Sequence, residues 1–203
     1  MLLTPQVPAL PQEAYHPESL CFGCGPAHPD GLRLESRRMP GGGLGRLEGR
    51  ARVSSKYIAF PGIINGGVVS TLLDCHGNWA AAIALMDKGC LPRPPLTLTA
   101  SMEVRYLEPT PPDTDLILRS RVLSIRDAPG VGQQLRTTVE VELELLMPPA
   151  EGDAVPPVPS ASTSPAVAAA LGLAGAGASG FGGERLLATA RGIFKRTGAL
   201  RSM

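Results

Sequence analysis

The sequence predicts an α+β domain: one long apolar helix set against a mainly antiparallel sheet, in the order β-β-α-β-β-β-insertion-β. Three observations carry this. A single helical stripe of apolar residues spans 66–88, several segments alternate apolar and polar residues, and residues 148–183 switch to Pro, Ala, Gly, Ser and Val with Glu151 and Asp153 as the only charges. A stretch of that composition cannot bury enough side-chain surface to offset its ordering entropy, so 148–183 reads as a low-complexity insertion.

Residues 1–20 hold several prolines and read as an irregular arm. Residues 32–38 and 44–53 read as paired strands, because Pro40-Gly41-Gly42-Gly43 between them is a turn signal. Ser54–Ile64 reads as loop, broken at Pro61-Gly62. Then comes the helix. Val68, Leu72, Trp79, Ile83 and Met86 recur at spacings of three and four, and Val69, Leu73, Ala80 and Ala84 widen the stripe until little polar face remains. Such a helix is buried on most sides and wrapped by a sheet. Asn65 suits its N-cap and Gly89 its stop.

Strands are expected at 96–108, 115–126 and 133–147. Leu96, Leu98, Ala100, Met102, Val104 and Tyr106 alternate through the first. In the last, Val139, Val141, Leu143 and Leu145 alternate with Glu140, Glu142 and Glu144, the pattern of one wet face. After the insertion, Leu187, Thr189, Arg191 and Ile193 alternate in a final strand within 184–195. The domain thus covers 21–197, interrupted by 148–183.

The formal net charge is +1 and aromatic residues make up 4%, so neither a phosphate-tracking surface nor a base-stacking one is expected, and nucleic acid is not a predicted partner. No apolar run reaches membrane-spanning length, and the first thirty residues lack the pattern of a secretory signal. A soluble protein of a reducing compartment is expected, in the cytoplasm, with an organelle as the alternative. Cys21 and Cys24 form one CxxC, two ligands where a structural zinc wants four. His16 and His28 are available to complete the set, yet Cys75 and Cys90 form no second CxxC. The preferred reading is a tight turn in Cys21-Phe22-Gly23-Cys24-Gly25-Pro26, with no metal and no cofactor. Cys75 and His76 are adjacent on the helix and cannot pair as nucleophile and base. Trp79 reads as core, and Arg191 and Lys195 as solvated strand charges.

The chemistry concentrates at Asn65-Gly66-Gly67 and Asp74. Two glycines at a helix start bare N–H groups that can hold a developing negative charge, and a carboxylate inside an apolar run can activate water. Asp74 lies eight residues past Gly66, about 12 Å along the helix axis. One carbonyl cannot reach both on the same helix, so a catalytic reading requires Asp74 from a second subunit.

These residues resemble a known family. Cys21-Phe22-Gly23-Cys24-Gly25-Pro26 with Gly31-Leu32, Pro61-Gly62-Ile63-Ile64-Asn65-Gly66-Gly67, Leu72-Leu73-Asp74, Tyr106-Leu107-Glu108-Pro109 and Ala188-Thr189-Ala190-Arg191-Gly192 are together similar to the hotdog-fold thioesterases, above all the acyl-CoA thioesterases of the phenylacetate-pathway type. The resemblance covers roughly 20–147 and 184–197. It implies a hotdog fold, hydrolysis of an acyl-CoA or acyl-carrier-protein thioester, and a homo-oligomer, dimer or tetramer, with sites at the subunit interface. By the family pattern Gly66 and Gly67 polarise the carbonyl, Asp74 acts on water or the carbonyl, and Thr99 holds the water. Asn65 stands where the family has His, and Ala59 where it often has a polar residue. These departures bear on rate, and they keep two alternatives in view: a non-catalytic hotdog dimer that binds acyl-CoA or another small ligand, and an interaction protein that uses the insertion as a tether.

Overall fold

The computed structural model describes residues 10–41, 43–128, 136–149 and 183–197. The start of the expected arm and residues 150–182 of the expected insertion lie outside them. The elements are α1 (Pro11–Tyr15), β1 (Glu35–Arg38), β2 (Leu47–Arg52), β3 (Ile58–Phe60), β4 (Ile63–Ile64), α2 (Gly66–Lys88), β5 (Thr97–Tyr106), β6 (Asp115–Ala128), β7 (Arg136–Met147) and β8 (Arg185–Arg196). Two differ from expectation. A one-turn helix, α1, sits in the arm, with Pro11 at its start, where a missing N–H costs nothing. The loop before α2 holds a small β3–β4 hairpin that closes at Gly62, whose φ of 78° suits glycine.

Six strands form one antiparallel sheet in the order β1-β2-β6-β7-β8-β5, and α2 lies across it. Leu72, Leu73, Ala80, Ile83 and Ala84 of the helix are fully buried, as are Val139, Val141, Leu143 and Leu145 of β7, so the alternation in β7 holds. Its polar face is less wet than expected. Glu140 is buried between Arg126 and Arg191, its carboxylate 2.9 and 2.6 Å from their guanidinium groups. Arg191 is the solvated strand charge expected, its side chain 63% exposed, and it also pairs with Glu140.

The helix approaches the sheet closely where glycine permits it. A Cβ on Gly77 would lie 2.5 Å from the Phe194 ring, and one on Gly49 would lie 3.0 Å from His76 Nδ1. At the β1 edge, Gln12 of α1 donates to Leu34 O at 3.1 Å and accepts from Ser36 N at 3.3 Å. This side-chain amide covers the edge as a short piece of strand would. No helix among the described residues is long and apolar enough to cross a membrane.

His76 is completely buried, with Ser36 Oγ 2.9 Å from its Nδ1 and no partner for Nε2 among the described residues. Burial pulls its pKa from 6.5 to about 4. The folded-state value is lowered, so between pH 6.5 and about 4 the unfolded chain binds a proton that the folded chain refuses. Stability is present above pH 6.5 and is lost as pH falls through this window. Denaturant midpoints taken at pH 7 and pH 5 should reveal a loss of about 2 kcal/mol from this one group. An equal stability at both values would show that the ring titrates normally.

Candidate active site

Strand β5 and helix α2 run past each other in opposite directions, and their repeats nearly coincide. Two strand residues advance about 6.6 Å and four helix residues about 6 Å. Side chains at 97 and 99 therefore meet side chains at 78 and 74. Thr97 Oγ1 donates to Asn78 Oδ1 at 2.5 Å, and Thr99 Oγ1 donates to Asp74 Oδ1 at 2.6 Å. The family resemblance gives Thr99 a water to hold; in the structure its hydroxyl donates to the Asp74 carboxylate.

This pairing depends on a β-bulge. In the β5–β8 ladder Thr99 faces Phe194 and Ser101 faces Ile193, so Ala100 has no partner. The extra residue switches which side chains point toward the helix. Before it, Thr97 and Thr99 face α2 and Leu98 is 55% exposed; after it, Met102 and Val104 pack against the core. The unbroken alternation from Leu96 to Tyr106 expected above is thereby corrected, because Leu98 falls on the outer side.

Asp74 is half-buried and lines a cavity of about 380 Å³ with Asn78, Trp79, His16, Leu98 and three cysteines. Trp79, expected in the core, is only partly buried here and donates from Nε1 to Cys24 Sγ at 3.4 Å. Cys75, dismissed above as a nucleophile with His76, does point away from that ring, toward Cys21 and Cys24. Bonds from the Cys24 and Cys75 thiols hold Cys21 well below the ordinary thiol range. The bond to Cys21 pushes Cys24 up to about 11, and bonds to Cys21 and Cys24, with burial, push Cys75 up.

The helix start lies in a separate place. Asn65 is the N-cap, its Oδ1 accepting from Gly67 N at 2.8 Å, while its carbonyl accepts from Val68 and Val69. The Gly67 N–H is therefore engaged, and the Gly66 N–H is the one without an acceptor among the described residues. Tyr106 fixes this end. Its hydroxyl donates to Gly66 O at 2.8 Å and sits 2.6 Å from Ser70 Oγ. Tyr106 enters the sequence reading only as a strand residue and as part of the Tyr106–Pro109 resemblance, and Ser70 not at all, so their joint hold on the helix start was not foreseen. Gly66 lines a groove of about 370 Å³ with Phe60, Ile63, Val69, Tyr106 and Leu107. Asp74 and Gly66 thus open into different cavities of one chain, in line with their separation along the helix. A larger concavity, about 840 Å³, lies elsewhere, between the β1–β2 turn and β6.

No family model matches the sequence. No curated protein matches it either. Solved structures do. A thioesterase superfamily protein aligns over 88% of this chain and 60% of its own, at 17% identity and a TM-score of 0.50. A thioesterase superfamily protein from Shewanella loihica aligns over 81% of this chain and 91% of its own, at 20% identity and a TM-score of 0.48. The PaaI protein of the phenylacetic acid degradation operon of E. coli aligns over 82% and 81%, at 13% identity and a TM-score of 0.49. At these identities the likeness speaks to architecture alone. One long helix against a six-stranded antiparallel sheet, the architecture shared with the first of these structures at a TM-score of 0.50, makes this chain a hotdog-fold protein.

Proposed function

We propose that the protein hydrolyses an acyl-CoA or acyl-carrier-protein thioester as a homodimer with two equivalent sites. The observation that carries this reading is the Thr99–Asp74 hydrogen bond of 2.6 Å in a cavity beside a sheet edge that no described strand covers. β5 is that edge; its outer side has no strand partner among the described residues, and Leu98 and Tyr106, with Leu107 just past its end, are exposed. A second copy pairing there covers the edge and brings its own helix alongside. The substrate carbonyl then lies at the Gly66 N–H of one protomer and near Asp74 of the partner subunit.

In this mechanism Asp74 takes a proton from water, and the hydroxide oxygen bonds to the thioester carbon. The carbonyl oxygen becomes an oxyanion at the Gly66 N–H, aided by the positive end of the α2 dipole. The intermediate collapses by breaking the C–S bond, the thiolate leaves, and the proton returns to sulfur. Thr99 keeps the carboxylate in one orientation through the cycle.

Thiol release from a panel of acyl-CoA substrates is the direct test. Saturable binding without release would favour the non-catalytic dimer. Asn65→Asp separates capping from chemistry. Asp caps as well as Asn, so thermal stability should hold. A carboxylate beside the developing oxyanion should nevertheless lower kcat at least about tenfold. Unchanged turnover would place the reacting oxygen elsewhere.

A further inference from the structure

Three sulfur atoms from two distant stretches of chain meet beside Asp74. The Sγ atoms of Cys21, Cys24 and Cys75 all lie within 4.8 Å of one another, and those of Cys21 and Cys75 are 3.6 Å apart. All three are free thiols. A disulfide would bring two sulfurs to about 2.05 Å. Sulfurs that share one tetrahedral cation, each bonded at about 2.3 Å, stand roughly 3.8 Å apart.

The surroundings are built for this convergence. Gly25 N donates to Cys21 O at 2.8 Å and closes the turn. A Cβ on Gly25 would lie 2.4 Å from Ser19 O and 2.6 Å from Cys21 N, so no other residue closes it in this form. A Cβ on Gly23 would lie 2.4 Å from Cys75 Sγ. Glycine at 23 is therefore what admits the helix thiol to the turn. The Trp79 indole N–H, 3.4 Å from Cys24 Sγ, supplies a donor to sulfur, the kind of outer partner that orients a thiolate ligand.

We infer that Cys21, Cys24 and Cys75 form a three-thiolate site for one zinc-class cation, with its fourth position open to the cavity that holds Asp74. Soft thiolates select such an ion, and three protein ligands with an open position distinguish this arrangement from a closed structural site. Binding releases the thiol protons to solvent and ties the 21–25 turn to α2 one residue from Asp74. His16 lines the same cavity and is the imidazole there that can offer a fourth ligand from the protein. The proposal is independent of whether the protein hydrolyses thioesters.

The test uses the full chain, reduced and stripped with a chelator, then titrated with Co²⁺ and back-titrated with Zn²⁺. One equivalent of cobalt should produce thiolate-to-cobalt charge-transfer absorption, and zinc should abolish it. Cys75→Ser and Cys21→Ser should each lose the band, whereas Cys90→Ser should keep it, since Cys90 lies outside the cluster. Cys21 is exposed, so its variant remains informative if the Cys75 variant folds poorly. A wild-type protein without the band would overturn the site. So would a band that survives in Cys21→Ser, or reduced protein that binds no metal and forms a Cys21–Cys75 disulfide in air.

Discussion

Replacing Asp74 with asparagine should lower kcat by about 10²–10⁴-fold, with a much smaller change in KM. Asparagine has nearly the same shape, and its side-chain carbonyl can still accept the Thr99 hydroxyl that now sits 2.6 Å from Asp74 Oδ1. What it lacks is the capacity to take a proton from water. The loss therefore falls on the chemical step rather than on packing. Circular dichroism and a melting curve matching the wild type establish that the fold is intact, and acyl-CoA turnover supplies the rate. Thr99→Val extends the logic. It removes the hydroxyl that positions the carboxylate but leaves the carboxylate in place, so its loss in kcat should be smaller than that of Asp74→Asn. If Asp74→Asn turns over at the wild-type rate, this residue has no part in the reaction.

Gly66→Pro should cost about 10²–10³-fold in kcat while leaving stability close to wild type. Gly66 is the first residue of α2, the helical position that best tolerates proline. Asn65 before it has φ −59° and ψ 129°, the extended backbone that a following proline demands. A Cβ at 66 meets the Tyr106 ring at an ordinary 3.4 Å. The substitution thus removes one hydrogen-bond donor and little else. It also decides how the two halves of the site come together. A mixture of Gly66→Pro and Asp74→Asn chains that exchange subunits should regain activity, because each mixed dimer restores one site from an intact Gly66 and an intact Asp74 on different protomers. Both variants being inactive alone and inactive together would mean that the two groups serve one chain, or do not cooperate at all.

Much of this architecture was written in local pattern. The apolar stripe from Val68 to Met86 could be satisfied only by a helix buried on most sides, and α2 spans Gly66–Lys88. Val139 to Leu145 alternate because one face of β7 meets that helix and the other does not. Asn65 caps the helix because a short side-chain carbonyl fits the first turn, wherever the rest of the chain lies. Spacing alone also separated Gly66 from Asp74, since the rise per residue of a helix is fixed.

Other features required the folded chain. The bulge at Ala100 has no marker in its own sequence; it arises from the register of β5 against β8, and it turns Thr99 rather than Leu98 toward Asp74. Arg191 and Arg126 became partners of Glu140 only when β6, β7 and β8 lay side by side. Cys75 joined the Cys21–Cys24 turn across fifty intervening residues, because a glycine at 23 left room for its sulfur. Periodicity and capping are properties of neighbours along the chain, so the sequence determined them. Register, ion pairing and the meeting of distant sulfurs depend on which surfaces pack together, and only the tertiary structure decided those.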